Sequence, residues 1–196
     1  MSGIPTTTIK SDSGSAPPVP TAFTVAPSAH NFNVPLQDFT ESCEGVSGIA
    51  VGACVFNPDG KVLLVQRAPT DSLPLLWEVP GGGCDFEDET VLHSVARELW
   101  EESGLRAQRI GDELGVLDLF RTRRGLRVRK FTFLVEVDGY DVRLDPSEHQ
   151  AFLWASEEDV RAKRCGNVEI VYTNEAQEEV IRKAFERRKA LYSSCC

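Results

Sequence analysis

The chain has 196 residues, 41% of them apolar and 26% charged, and its 30 acids against 21 bases give a formal charge of −9. That length fits one domain plus a tail. The acid excess repels nucleic-acid backbone, and no apolar run is long enough to span a bilayer, so generic nucleic-acid binding and a membrane role are both set aside.

The first ten residues lack a basic region ahead of an apolar core, and no Arg precedes residue 41, so neither a secretory signal nor a transit peptide is read there. The six cysteines show no metal-type spacing. They read as reduced thiols, and the chain as a soluble cytoplasmic protein. Residues 1–40 form a Ser/Thr/Pro-rich extension around Pro17-Pro18-Val19-Pro20. Too little apolar surface is present there to offset ordering entropy, so disorder is expected over roughly the first 20 residues. The scattered aromatics between Phe23 and Phe39 are placed against the domain.

The folded domain is assigned to residues 45–192. Residues 49–56 are apolar and β-prone, Asn57-Pro58-Asp59-Gly60 is a turn signal, and residues 61–67 return as a strand, which predicts a β-hairpin. Residues 77–80 are extended up to Gly81-Gly82-Gly83. Residues 89–103 read as a helix stopped by Gly104. Strands follow at 114–121, 127–137 and 151–155. Ser156 caps a short helix to about residue 163. The last helix spans 174–191, with Val180, Ile181, Ala184 and Leu191 on its apolar side. This alternation predicts α/β layers around a mixed sheet.

The chemistry concentrates in residues 83–105. Leu92, Val95, Ala96 and Leu99 make one apolar stripe at helical spacing. Glu98, Glu101 and Glu102 share a second face about a third of a turn away. Three like charges in a last helical turn repel one another and oppose the helix dipole. A hard divalent cation resolves the conflict, and Mg²⁺ prefers carboxylate oxygens. Arg97, four residues before Glu101, can hold a carboxylate in a fixed pose. The glycines let backbone approach closely and offer a carbonyl, that of Gly83 or Gly82, to the metal. Without their surroundings, three glutamates would read as a solvated acidic face.

The surroundings decide the matter. Gly83, Glu89, Arg97, Glu98, Leu99, Glu101, Glu102, Gly104 and Leu105 match the Nudix box at each defined position. A looser likeness runs from Ile49 to Leu191, through Gln66-Arg67, Trp77-Glu78-Val79-Pro80-Gly81-Gly82 and the Glu148 to Trp154 segment. The chain thus resembles the Nudix hydrolases. The resemblance implies an α/β/α sandwich with a central mixed β-sheet. It implies cleavage of a diphosphate linkage in a small molecule, typically a nucleoside diphosphate joined to another group. By position, Glu98, Glu101 and Glu102 would hold Mg²⁺, with Mn²⁺ as a substitute, and Glu89 and Arg97 would support them. A box glutamate or the later-loop acid Glu148 would serve as general base.

Arg67 and Trp77 are candidates for touching substrate, although a surface Arg and a core aromatic are the plain alternatives. His93 and His149 read as surface polar residues, because Mg²⁺ does not seek imidazole. Arg121, Arg123, Arg124, Arg127, Arg129 and Lys130 form a basic cluster. It is a solvated hairpin or a phosphate clamp, Arg127 and Arg129 being the candidate binders. A clamp would favour a phosphate-rich substrate such as a diphosphoinositol phosphate, and less so a capped RNA end. No nucleic-acid or membrane partner is expected, and a homodimer is left open. Two further classes share the fold. A non-catalytic binding module usually loses box glutamates, and a prenyl-diphosphate isomerase carries an altered box and a separate cysteine motif. This box is intact, and no such motif is found.

Overall fold

The computed structural model describes residues 19–119 and 127–193. The start expected to be disordered, Arg121, Arg123 and Arg124 of the basic cluster, and Cys195-Cys196 lie outside the described residues. In chain order come β1 (Thr24–Val25), a 3-10 helix (Pro27–Phe32), α1 (Leu36–Ser42), β2 (Gly48–Val55), β3 (Val62–Arg67) and β4 (Trp77–Glu78). Then come α2 (Val91–Ser103), β5 (Ala107–Leu119), β6 (Val128–Val137), β7 (His149–Ala155), α3 (Glu157–Ala162), β8 (Arg164–Cys165), β9 (Val168–Glu169) and α4 (Glu175–Ser193).

The strands form a mixed sheet of order β1-β5-β6-β2, an antiparallel sheet of order β4-β3-β7, and the small β8-β9 pair. The predicted hairpin is corrected here. Its turn forms, with the Gly60 amide donating to the Asn57 carbonyl at 2.9 Å and the Lys61 amide to Asn57 Oδ1 at 3.0 Å. The strands on either side then part. β2 runs parallel to β6, β3 pairs with β4 and β7, and a single bridge, Phe56 to Val62, joins them beside the turn. The local turn signal was sound, but strand pairing is decided by burial on both faces, which a two-strand pattern does not encode.

The chain leaving β4 seams the two sheets. The Val51 amide donates to the Gly82 carbonyl, the Ala53 amide to Pro80, and the Cys84 amide to Ile49, all at 2.8–2.9 Å. Gly81 makes this approach feasible. Its φ is +150°, and a Cβ there would collide with the Val51 carbonyl.

Alternate strand residues feed two cores. Val51, Ala53, Leu63, Phe131 and Phe133 pack with Leu92, Val95, Ala96 and Leu99 of α2. Cys54, Leu64 and Trp77 pack with Val160 of α3 and Val180, Ile181, Ala184 and Phe185 of α4. A β-layer between helical layers is thus the observed architecture. Leu191, assigned to the apolar side of α4, is exposed, and Phe185 fills that side instead. Phe23, Phe32 and Phe39 lie against the α2 core, with Phe32 4.9 Å from Phe133 and Phe39 5.3 Å from Phe131 between ring centroids. β1 adds a parallel edge to β5. Among the described residues no helix is long and apolar enough to cross a membrane.

Candidate active site

Helix α2 is fixed at both ends. The Thr90 side chain accepts from the Leu92 and His93 amides, and Gly104 closes the helix in the left-handed region. With its apolar stripe docked on β2, the helix turns Glu98 and Glu102 inward, at 9% and 4% exposure, and leaves Glu101 half-exposed. Burial pushes the Glu98 carboxyl up, against the pull of Arg97. Glu102 is pushed well up, again by burial and by its acidic neighbours Glu78 and Glu98, although it accepts the Gly81 amide at 2.6 Å. A Cβ at Gly82 would sit 2.7 Å from a Glu98 carboxylate oxygen, so a larger residue there would displace that carboxylate.

The acids divide between two partners. Arg97 lies at the centre of one group. It donates to Glu98 at 2.8 Å, to Glu101 at 2.9 Å, to Asp88 at 2.9 Å and to the Gly83 carbonyl at 2.8 Å. The expected Arg97–Glu101 contact is present. The expected support from Glu89 is not, since its exposed side chain turns to His93 at 3.6 Å. Asp88, one residue earlier, takes that place, and Arg97, Ser94 and the Asp85 amide hold its carboxyl low despite partial burial. The Gly83 carbonyl has one lone pair committed to Arg97.

The second group joins Glu102 to the other sheet. Glu148 and His149 follow an Asp145 turn, in which both the Ser147 amide and hydroxyl donate to Asp145 Oδ1 and the His149 amide donates to the Asp145 carbonyl. One ligand atom from each of Glu102, Glu148 and His149 lies within 4.8 Å of the others. Glu148 is exposed, as a loop acid should be. His149 is only 2% exposed, which corrects its reading as a surface residue. A bulge causes this. Between the pairs Gln66–Ala151 and Arg67–His149, β7 carries the extra residue Gln150, so His149 faces Arg67 across the ladder.

Arg67 is also placed differently from expectation. It forms ion pairs with Glu78 and, at 2.6 Å, with Asp71. Burial favours a raised Glu78 pKa, but the Arg67 ion pair and the Lys130 charge pull the carboxyl below its usual range. Trp77 is 2% exposed within the α4 core, so a stacking role on substrate is withdrawn. Arg127 is exposed near Gly45, and Arg129 opposes Ile49 on the β2–β6 ladder. Sequence reading missed Glu78, Asp88 and the burial of His149. The one available signal was an acid inside the apolar strand Trp77-Glu78-Val79.

Comparison with known proteins agrees with this geometry. The model of the NUDIX domain matches residues 46–174. A MutT-like protein of Streptomyces ambofaciens is 33% identical over 112 residues, 57% of this chain and 66% of that protein. An RNA pyrophosphohydrolase of Gluconobacter oxydans is 34% identical over 137 residues, 62% of this chain and 79% of its own length. The crystal structure of a MutT protein from Methanosarcina mazei superposes with a TM-score of 0.58 at 28% identity, covering 75% of this chain and 98% of that one.

Proposed function

The chain belongs to the Nudix family and is a diphosphohydrolase, and on that premise we propose that it cleaves, with Mg²⁺, a nucleoside diphosphate linked to another group. The observation that carries the metal reading is the pair of buried carboxylates, Glu98 and Glu102, on one helical face, with Glu148 brought to Glu102 from a distant loop. Two buried anions so close are costly unless a cation shares them. The donors are oxygens, so the site fits a hard divalent ion. Glu98, Glu101 and Glu102 would hold it, Mn²⁺ being the substitute. When bound, such an ion would neutralise diphosphate charge and polarise the scissile phosphorus centre.

The remaining work falls to the chain. Arg97 fixes the Glu98 and Glu101 carboxylates and ties them to the Gly83 loop, so their spacing is preset. Gly82 admits the Glu98 carboxylate against backbone. Glu148, exposed and beside Glu102, would face the ion with it, and a box glutamate would take the proton of the attacking water. Lys130 supplies positive potential toward Glu78 and Glu102 from β6. One relative's name, RNA pyrophosphohydrolase, supports a nucleotide-linked diphosphate over a diphosphoinositol phosphate.

A panel of nucleoside diphosphate conjugates, capped and triphosphate-ended RNA and diphosphoinositol phosphates, each assayed with Mg²⁺ for released phosphate with and without added phosphatase, tests the proposal. Turnover confined to the nucleoside conjugates supports it. Turnover confined to RNA or inositol substrates overturns the substrate class, and full turnover in excess chelator overturns the metal.

A further inference from the structure

We propose that His149 supplies a nitrogen donor to a divalent cation held by Glu102 and Glu148, and that Glu78 orients the imidazole for this task. The proposal rests on the metal-dependent reading above and deepens it, since His149 lies outside the box.

Three observations carry it. First, His149 is 2% exposed, and neither ring nitrogen has a hydrogen-bond partner among the described residues. A buried polar group left unpaired costs on the order of 1–3 kcal/mol, so such an imidazole calls for a partner.

Second, the ring lies between two carboxylates, one at each nitrogen. Nδ1 is 3.9 Å from Glu102 Oε1, and Nε2 is 3.8 Å from Glu78 Oε1. Both separations exceed a hydrogen bond. Two donors each about 2.1 Å from one ion lie about 3 Å apart at a right angle and about 4.2 Å apart across it. The Nδ1–Glu102 separation is within that span. An oxygen of Glu148 is in the same cluster, and its exposure leaves it free to close on the ion.

Third, the far side of the ring already has what a ligating histidine needs. Metal-bound imidazoles commonly donate their second N–H to a carboxylate, which sets tautomer and orientation. Glu78 is that carboxylate. It is buried and anchored by Arg67, itself held by Asp71. The chain Asp71, Arg67, Glu78, His149 then ends on the ion. Arg67 thereby acquires a role as anchor of the orienting acid.

An imidazole among carboxylates shifts preference from Mg²⁺ toward Mn²⁺, Co²⁺ or Zn²⁺. Pulsed electron paramagnetic resonance of the full chain loaded with Mn²⁺ reads the donor directly. Nitrogen hyperfine coupling is expected, and its loss is expected in His149→Asn. The chain has three histidines, and His93 is engaged with Thr90 at 2.9 Å. Mn²⁺ affinity should fall about 10- to 100-fold in His149→Asn, with Mg²⁺ affinity changing far less.

Glu78→Gln keeps the ring in place and guards against a misfolded His149 variant. It should retain the nitrogen coupling and weaken Mn²⁺ about 10-fold. Mn²⁺ bound without nitrogen coupling, in a manner that Glu102→Gln abolishes, would overturn the His149 assignment and leave the metal-dependent hydrolase standing. No Mn²⁺ or Mg²⁺ binding at all would overturn both.

Discussion

The Gly81 amide donates to Glu102 at 2.6 Å, across 21 residues of chain. This bond joins the sheet seam to the last turn of α2 and gives a buried carboxylate its backbone donor. It also sets the terms for substitution at that position.

Glu102→Gln should lower kcat about 100-fold or more while leaving the fold intact. Burial raises the Glu102 carboxyl, so the folded state resists its ionisation. Without metal, the variant should therefore melt at the same temperature as the parent or slightly higher near neutral pH. Calorimetry in chelator checks this, and a large drop would mark Glu102 as a structural residue.

The same raised carboxyls link metal to protons. A group whose folded pKa is raised stabilises the fold at low pH, and that contribution is lost as pH rises through the folded value. Metal-free stability should thus decline as Glu98 and Glu102 ionise, and bound cation should restore it. Metal binding should release protons, and apparent affinity should climb with pH. Titration calorimetry in buffers of different ionisation enthalpy measures the release.

Arg97 cannot be replaced by Lys. A compact ammonium cannot serve Asp88, Glu98, Glu101 and the Gly83 carbonyl in one planar fork. Arg97→Lys should cost about 2 kcal/mol and Arg97→Ala about 3–5 kcal/mol in urea unfolding, with kcat falling in both. Stability equal to the parent in Arg97→Ala would show that the carboxylates hold their poses unaided.

Asp71 gives a test on the acid side. Its carboxyl is lowered to about 2, because bonds from Arg67, Ser72 and the Leu73 amide outweigh burial. A lowered group contributes stability above its unfolded pKa and loses it as pH falls through the folded value. Asp71→Asn should remove about 1 kcal/mol at pH 6, after allowance for screening, and the difference should vanish near pH 2. Urea midpoints across that range measure it.

Truncation should separate the two parts of the amino-terminal extension. Starting the chain at residue 20 should leave turnover unchanged, because the composition of the Ser/Thr/Pro-rich start offers little apolar surface to bury. Starting it at residue 45 removes β1 together with Phe23, Phe32 and Phe39, and should cost at least about 3 kcal/mol. Equal stability of the two truncations would show that this aromatic contact is dispensable.

The box made α2 legible because the helical period, the caps and the carboxylate face all agree on one local answer. The α4 and α3 helices were read for the same reason, Ser156 and Asp159 completing a capping box. What escaped was set by pairing across the sheet. Nothing local tells β2 to leave β3 for β6. Nor does local sequence place an extra residue at Gln150, which brings His149 opposite Arg67. Glu78 was hidden for a related reason, since a buried acid becomes sensible only once Arg67 is seen beside it.

The seam of Gly82, Pro80 and Cys84 against β2 has a further consequence. Glu98 and Glu102 ride with the β2 side of it, and Glu78, Glu148 and His149 with the β3–β7 side. The site therefore works as a joint held shut by a few backbone bonds at its back. Loosening that joint would spread the donors before either core melts, since small units of a fold can open below the global transition. On heating, activity should disappear while the α2 helical signal persists, and faster amide exchange at Val51 and Ala53 should mark the moment.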